Sequence, residues 1–163
     1  MAQTITSAGT SVRQVATVFK KVQWTPGTLN ADIGGGKYDD ATNYLSSLGV
    51  ENVVYDPYNR DIQHNLTATK RTGNHQSDTA TVANVLNVIN DDKELDQVLV
   101  WARGCLKEGG KAYFCVYEGN KSGVGKATTK GYQRNQPTSW YLPLIRKFFT
   151  TVTLKGKIIT ASP

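Results

Sequence analysis

Apolar positions along this chain switch between two spacings. Val12, Val15, Ala16, Phe19 and Val22 recur at three- and four-residue steps, which predicts a helix with Ser11 as its cap. Trp24-Thr25-Pro26-Gly27 breaks it in a turn. Thr28 to Ile33 reads as a short strand running into Gly34-Gly35-Gly36. Asp39-Asp40 then opens a helix with carboxylates in its first turn, where the helix dipole favours them. Ala41, Tyr44, Leu45 and Leu48 form its apolar face, and Gly49 closes it. Val53-Val54-Tyr55 is a second strand, stopped by Asp56-Pro57-Tyr58.

Residues 59–77 are polar and show no period. Thr79 to Val85 is rich in β-branched residues and reads as a third strand. Asp91-Asp92 starts a helix carrying Leu95, Val98, Leu99, Ala102 and Leu106, with Gly109-Gly110 as its expected end. Ala112 to Tyr117 is a fourth strand, and residues 119–136 read as a Gly/Lys/Thr/Gln-rich loop. Pro137-Thr138 begins a helix with Trp140, Tyr141, Leu144, Ile145 and Phe148. Thr151–Leu154 and Ile158–Ala161, joined by Lys155-Gly156-Lys157, read as an antiparallel hairpin. This order predicts an α/β fold: a doubly wound, mostly parallel sheet with an antiparallel hairpin at its end. A loose polar tail over residues 1–10 and a single domain over 11–163 complete the expected organisation.

Composition narrows the class. At 163 residues, with 39% hydrophobic and 20% charged residues, the chain is long enough to bury a sizeable core without a metal or disulfide. Its apolar runs fall far short of the ~20 residues of a membrane span. The start lacks the basic and apolar parts of a signal peptide, so the expected compartment is the cytoplasm. Cys105 and Cys115, with His64 and His75 scattered elsewhere, do not make a zinc spacing and are expected as buried thiols.

Charge is uneven. Residues 1–118 hold 11 Lys/Arg against all 13 Asp/Glu, while residues 119–163 hold Lys121, Lys126, Lys130, Arg134, Arg146, Lys147, Lys155 and Lys157 with no acid. Such a basic third is a candidate surface for nucleic acid or another polyanion, or simply a solvated face.

The candidate chemistry lies in Asp32-Ile33-Gly34-Gly35-Gly36, followed by Asp56 at the end of the next strand. Glycines after a strand let backbone approach a ligand where a Cβ would clash. An acid at the tip of the second strand suits a ribose diol. Asp32, at the tip of the first, suits an ammonium group. Together they fit a ligand with adenosine at one end and a cationic centre at the other.

In these residues the chain resembles the class I S-adenosylmethionine-dependent methyltransferases. Their acid-x-Gly-x-Gly motif is matched by Asp32, Gly34 and Gly36, their ribose acid by Asp56, and their methionine-side strand end by Asp78 to Ile89. Asp56-Pro57-Tyr58 with Val85-Leu86-Asn87-Val88-Ile89 look most like a methyltransferase family associated with DNA phosphorothioation systems. The resemblance implies a Rossmann-like methyltransferase sheet, S-adenosylmethionine as cofactor, and a cofactor site of Asp32, Gly34, Gly35, Gly36, Asp56, Pro57, Tyr58, Ala83 and Asn84. Only about 20 residues separate Asp56 from the third strand, where the superfamily fits a helix, a strand and a helix. The sheet is therefore expected one strand short, with Asp61 and Asp78 as weak substitutes for the adenine acid. Asn87, Glu118, Lys126, Lys130, Tyr132, Gln133 and Arg134 are the candidate acceptor-side residues, with Glu118 a potential base.

Three rival readings remain open. Read as a nicotinamide fingerprint, the glycine turn puts Asp39 where a third Gly should pack. Read as a phosphate loop, Gly119–Lys126 has Asn120 and Ala127 at positions that need Gly and Ser/Thr. A methyltransferase fold that only binds, without catalysis, is the third, and the sequence shows no obvious catalytic base to oppose it.

Overall fold

A computed structural model describes residues 13–129 and 131–163. The expected tail, Ser11 and Val12 lie outside the described residues. In chain order the elements are α1 (Thr17–Lys21), β1 (Leu29–Ile33), α2 (Asp40–Ser47), β2 (Glu51–Tyr55), α3 (Ile62–Thr72), β3 (Ser77–Ala83), α4 (Asp92–Cys105) and β4 (Leu106–Cys115). They continue with β5 (Lys126–Thr128), β6 (Gly131–Gln133), α5 (Leu142–Arg146), β7 (Thr151–Lys155) and β8 (Ile158–Ser162). Short 3-10 turns at Leu86–Val88 and Thr138–Tyr141 precede α4 and α5.

Six strands form the main sheet in the order β2-β1-β3-β4-β8-β7. The first four are parallel, and β8 runs antiparallel between β4 and β7. β5 and β6 pair as a separate antiparallel hairpin. The expected architecture is therefore present, including the shortened sheet. Chain order reverses between β1 and β3, because the chain passes from β1 outward to β2 and returns on β1's other side.

Two apolar layers flank the sheet. Ala31, Ile33, Ala80, Val82, Ala112 and Phe114 pack with Leu95 and Leu99 of α4 and Ile145 of α5 on one face. Val18 and Phe19 of α1, Leu45 of α2, Cys115 and Ile158 pack on the other. Alternation along a strand produces this division, since successive side chains point to opposite faces. β1 is buried at all five positions, as an inner parallel strand should be, yet it carries Asn30 and Asp32.

Several elements differ from the sequence-based expectation. α1 is only five residues long. α4 ends at Cys105, and β4 runs on through Gly109-Gly110. Gly109 has φ +80°, and the β3–β4 register shifts between Ser77 and Thr79, so the two glycines mark a strand irregularity and not a helix end. The loop over 119–136 contains the β5–β6 hairpin.

The polar segment after Asp56 holds α3, which sequence periodicity does not reveal. Its buried residues are Ala68 and Thr72, while Ile62 and Leu66 are exposed. Asp61 caps its start by accepting from the His64 N–H at 2.8 Å. This helix closes the outer border of β2. Tyr55 O faces β1, where it accepts from the Gly34 N–H at 2.8 Å, so by alternation Val54 and Asp56 turn their backbone groups outward. His64 Nε2 meets Val54 O at 2.7 Å. The Asn65 amide accepts from the Asp56 N–H at 2.9 Å and donates to Asp56 O at 3.0 Å, the two bonds that a neighbouring strand would make. Arg71 forms a two-pronged pair with Glu51 at 2.7 and 3.1 Å. Asn65→Ala is expected to destabilise the fold by about 2 kcal/mol, since it strips both bonds from a half-buried strand end. Faster hydrogen exchange at the Asp56 amide checks that assignment.

Candidate functional site

The β1–β3 pairing ends at Asp32 and Thr81, at the point of chain reversal, the place where parallel α/β sheets bind ligands. A cleft of about 140 Å³, open to solvent, lies there. Asp32, Gly34, Gly35, Gly36, Asp56, Ala83 and Asn84 all line it, as the sequence suggests. Val85 and Val88, from the stretch matched to the methionine side, line it too, as do Gln14, Phe19, Tyr38 and Asn59, which sequence reasoning missed.

Beneath the cleft runs a buried polar chain on the α2 face of the sheet. Thr79 Oγ1 donates to Asn30 Oδ1 at 2.8 Å. Asn30 Nδ2 donates to Asn52 Oδ1 at 2.8 Å and to Thr81 Oγ1 at 2.9 Å. Asn52 Nδ2 donates to Asp32 Oδ2 at 3.2 Å and to Thr42 Oγ1 at 3.0 Å, and Thr81 Oγ1 donates to Asp32 Oδ1 at 3.1 Å. Two branches converge on Asp32, through Asn52 of β2 and Thr81 of β3, while Asn52 also donates to Thr42 of α2. Asp32 is only 1% exposed. Burial pushes its pKa up to about 6, against the two hydrogen bonds that favour the charged form; nearby Asp56 adds to the rise and Arg60 opposes it.

The glycine turn has steric reasons. Gly34 sits at φ +72°, and a Cβ there would come within 2.6 Å of Val85 Cγ2. A Cβ on Gly35 would stand 2.6 Å from Asp32 Oδ2. Gly36, at φ +82°, donates its N–H to Asp56 Oδ2 at 2.9 Å. Arg60 fastens the same turn: its Nε donates to Gly36 O at 2.7 Å, and its guanidinium reaches Tyr38 O at 3.0 Å and Asp39 Oδ1 at 2.9 Å. Tyr38, which follows the turn, carries Arg13 and Lys37 over its ring, each at 5.1 Å.

Asp56 is buried in the cleft wall, and its carboxylate is fully engaged by the protein. Oδ1 accepts from the Tyr58 N–H at 3.0 Å and the Asn59 N–H at 3.2 Å. Oδ2 accepts from Gly36 and from Asn59 Nδ2 at 3.0 Å. Pro57 and Tyr58 do not line the cleft; the Tyr58 hydroxyl turns to Glu94 at 3.3 Å. Asp78 lies at the other end of the sheet, accepting from the Leu29 N–H at 2.8 Å and pairing with Lys107 at 3.3 Å. Neither it nor the capping Asp61 lines the cleft.

The acceptor-side candidates do not gather at the cleft. Arg134 is buried: its Nε donates to Ile89 O at 2.6 Å, its guanidinium pairs with Asp92 at 3.0 Å, and its N–H donates to Asn87 O at 2.9 Å. It fastens the hairpin strand to the turn after β3. Asn87 is buried beside it, away from the cleft lining. Glu118 accepts from Lys157 Nζ at 2.5 Å and from the Thr138 N–H and hydroxyl at 2.6 and 3.0 Å. These donors drop its pKa to about 2, which makes it a poor base. Lys126, Tyr132 and Gln133 belong to the β5–β6 hairpin, where the Tyr132 hydroxyl fills the space over Gly125. Lys130 lies outside the described residues.

The basic third is also less free than its composition suggests. Lys121 and Lys157 pair with Glu118, Arg134 with Asp92, and Lys147 with Asp96. Cys105 and Cys115 are buried and free, and burial raises both thiol pKa values. Among the described residues there is no His/Cys/Asp/Glu cluster able to hold a metal, and no helix long and apolar enough to cross a membrane.

No family model and no curated protein matches the sequence. Solved structures do match in three dimensions. The methyltransferase of Haloferax volcanii in complex with the Trm112 methyltransferase activator superposes with a TM-score of 0.58 at 13% identity, over 84% of this chain and 67% of that one. The 1,6-didemethyltoxoflavin-N1-methyltransferase of Burkholderia thailandensis, solved with 1,6-didemethyltoxoflavin and S-adenosylhomocysteine, gives 0.62 at 16% identity, over 83% and 71%. An S-adenosylmethionine-dependent methyltransferase of Thermotoga maritima gives 0.57 at 16% identity, over 89% and 85%. At these identities the likeness is one of architecture: the chain carries the Rossmann-like fold seen in S-adenosylmethionine-dependent methyltransferases.

Proposed function

We propose that the cleft binds S-adenosylmethionine and that the protein transfers its methyl group. The observation that carries this is Asp32: a buried carboxylate on the floor of a glycine-walled cleft, at the point of chain reversal. A carboxylate offers about four acceptor positions. Asn52 and Thr81 take two, and the remainder suit the ammonium group at the methionine end. The Gly34–Gly36 turn leaves room that side chains would fill. The S-adenosylhomocysteine in the Burkholderia thailandensis neighbour supports the same choice of ligand.

When bound, S-adenosylmethionine supplies an electrophilic methyl group on a sulfonium centre. The chain's own contribution is orientation: Asp32 and the glycine turn hold one partner still, which is worth several orders of magnitude in rate once an acceptor is beside it. Glu118 is locked in its own bonds and does not take a proton, so the acceptor brings its own nucleophile. The narrower likeness to the phosphorothioation-associated family rests on Asp56-Pro57-Tyr58 and Val85–Ile89, residues that build the cleft wall and pack behind it. Glu118's engagement also favours a second reading, a protein that holds the cofactor without transferring the methyl group. A transfer assay with labelled cofactor separates the two.

Titration calorimetry with S-adenosylmethionine, S-adenosylhomocysteine and NAD tests the binding. The first two are expected at micromolar affinity at pH 7.5, about −8 kcal/mol, and NAD not at all. Only ionised Asp32 pairs with the ammonium, and in the free protein it titrates near pH 6. Affinity is therefore expected to fall about tenfold between pH 7.5 and 5. Tight NAD binding, or no binding of any ligand, removes the assignment.

A further inference from the structure

We propose that Asn59, and not Asp56, reads the sugar hydroxyls of the adenosyl ligand. The inference rests on the reading above that the cleft takes one. Asp56 stands where a ribose-binding acid is expected, but its acceptor positions are spoken for. Three of its four donors are the backbone N–H groups of Gly36, Tyr58 and Asn59. A ligand hydroxyl that took the place of the Gly36 or Tyr58 N–H would leave that N–H without its acceptor. The carboxylate is built into the protein as the knot that ties the glycine turn to the end of β2.

Asn59 is placed differently. It lines the same wall of the cleft. Its Nδ2 donates to Asp56 Oδ2 at 3.0 Å. A carboxylate accepts, so this bond fixes which end of the amide is nitrogen and which is oxygen. Its backbone N–H donates to the other oxygen of the same carboxylate at 3.2 Å. Both the residue and its side chain are thereby held on one anchor. The oxygen Oδ1 has no partner among the described residues, and it is not among the sealed, unpartnered polar atoms. It is an acceptor with two lone pairs, on an amide anchored in the cleft wall, and hydroxyl groups are the donors that an adenosyl ligand presents. Asp56 is then a positioning residue, acting through Asn59 and Gly36.

A neutral amide oxygen makes an ordinary hydrogen bond where a carboxylate would make a charge-assisted one. The expected discrimination between a ribose and a sugar without hydroxyls is accordingly modest, about tenfold.

The test is a ligand-side comparison. S-adenosylhomocysteine and its 2′,3′-dideoxy analogue are titrated into the parent protein and into Asn59→Ala. The parent is expected to prefer the ribose form about tenfold, and Asn59→Ala is expected to bind the two within twofold of each other. A merely structural loss at Asn59 would weaken both ligands and keep their ratio, so an unchanged ratio overturns the proposal. Equal binding of the two ligands by the parent overturns it as well. Failure of the parent to bind either ligand overturns the cofactor reading itself, and is distinct from both. If Asn59→Ala does not fold, Asn59→Ser reads the same ratio, since its hydroxyl still donates to Asp56 but holds its oxygen back from the sugar; the ratio is again expected to fall toward one.

Discussion

Asp56→Ala lowers the unfolding free energy by about 4 kcal/mol at pH 7. This is a larger effect than expected for a residue that only touches a ligand. Four donors lose one charged acceptor together, three of them backbone N–H groups, of which only that of Asn59 has a second acceptor, Asp56 O at 3.4 Å. Bonds to a charged acceptor are worth roughly 1.5–3 kcal/mol each, and the sum is less than additive because the exposed end of the turn rehydrates. Urea unfolding with an unchanged m-value measures the loss directly. A variant that keeps its stability to within 1 kcal/mol, yet no longer binds S-adenosylhomocysteine, would return the carboxylate to the ligand.

The second large effect is a dependence of stability on pH that runs opposite to ordinary acid denaturation. Asp32 ionises near pH 3.8 in the unfolded chain and near 6 in the folded one. Between these values the folded state holds a proton that the unfolded state has released, so stability falls as pH rises through the window and levels off above it. The shift corresponds to about 3 kcal/mol for this fully buried group. Glu118, depressed to about 2, acts in the opposite direction and at lower pH: its contribution is lost as pH falls from about 4.5 toward 2. Thermal or urea unfolding between pH 5 and 7 reads Asp32 alone among the two. Asp32→Asn is expected to lack the downward slope, although its absolute stability also drops. An asparagine at 32 keeps its oxygen for Asn52 Nδ2 and turns its amide nitrogen to Thr81 Oγ1, losing the bond that the Thr81 hydroxyl donates and the charge on the acceptor. A parent profile that is flat from pH 5 to 6.5 would mean that Asp32 is ionised throughout.

What was legible in the sequence was what local chemistry dictates. Strands β1 and β2, the glycine turn and the closing hairpin each announce themselves by alternation, by β-branched runs or by residues that tolerate unusual backbone angles. The cleft lining was found through Asp32, Gly34–Gly36 and Ala83-Asn84 because these lie at strand ends. α3 was hidden for a physical reason. Its hold on the sheet is polar, through His64, Asn65 and Arg71, and the periodicity of apolar residues cannot reveal such a helix. Gly109-Gly110 misled because a glycine pair serves a helix end and a strand irregularity equally well. Arg134 and Glu118 look like free charges in the sequence, and only the folded chain brings Asp92 to one and Lys157 to the other. Asn59 carried no signal beyond its place three residues after Asp56.

The closed border of β2 has a consequence for how the protein behaves in concentrated solution. An unpaired strand edge is a template on which other chains aggregate. On the β2 side, the outward groups of Val54 and Asp56 are already held by His64 and Asn65, so a foreign strand finds its pairing sites taken. The opposite border is β7, Thr151–Lys155, largely exposed and with Lys155 as its single charge. Growth of strand-paired aggregates is thus polarised to one side of the molecule, and a second lysine at Thr153 is the natural place to resist it.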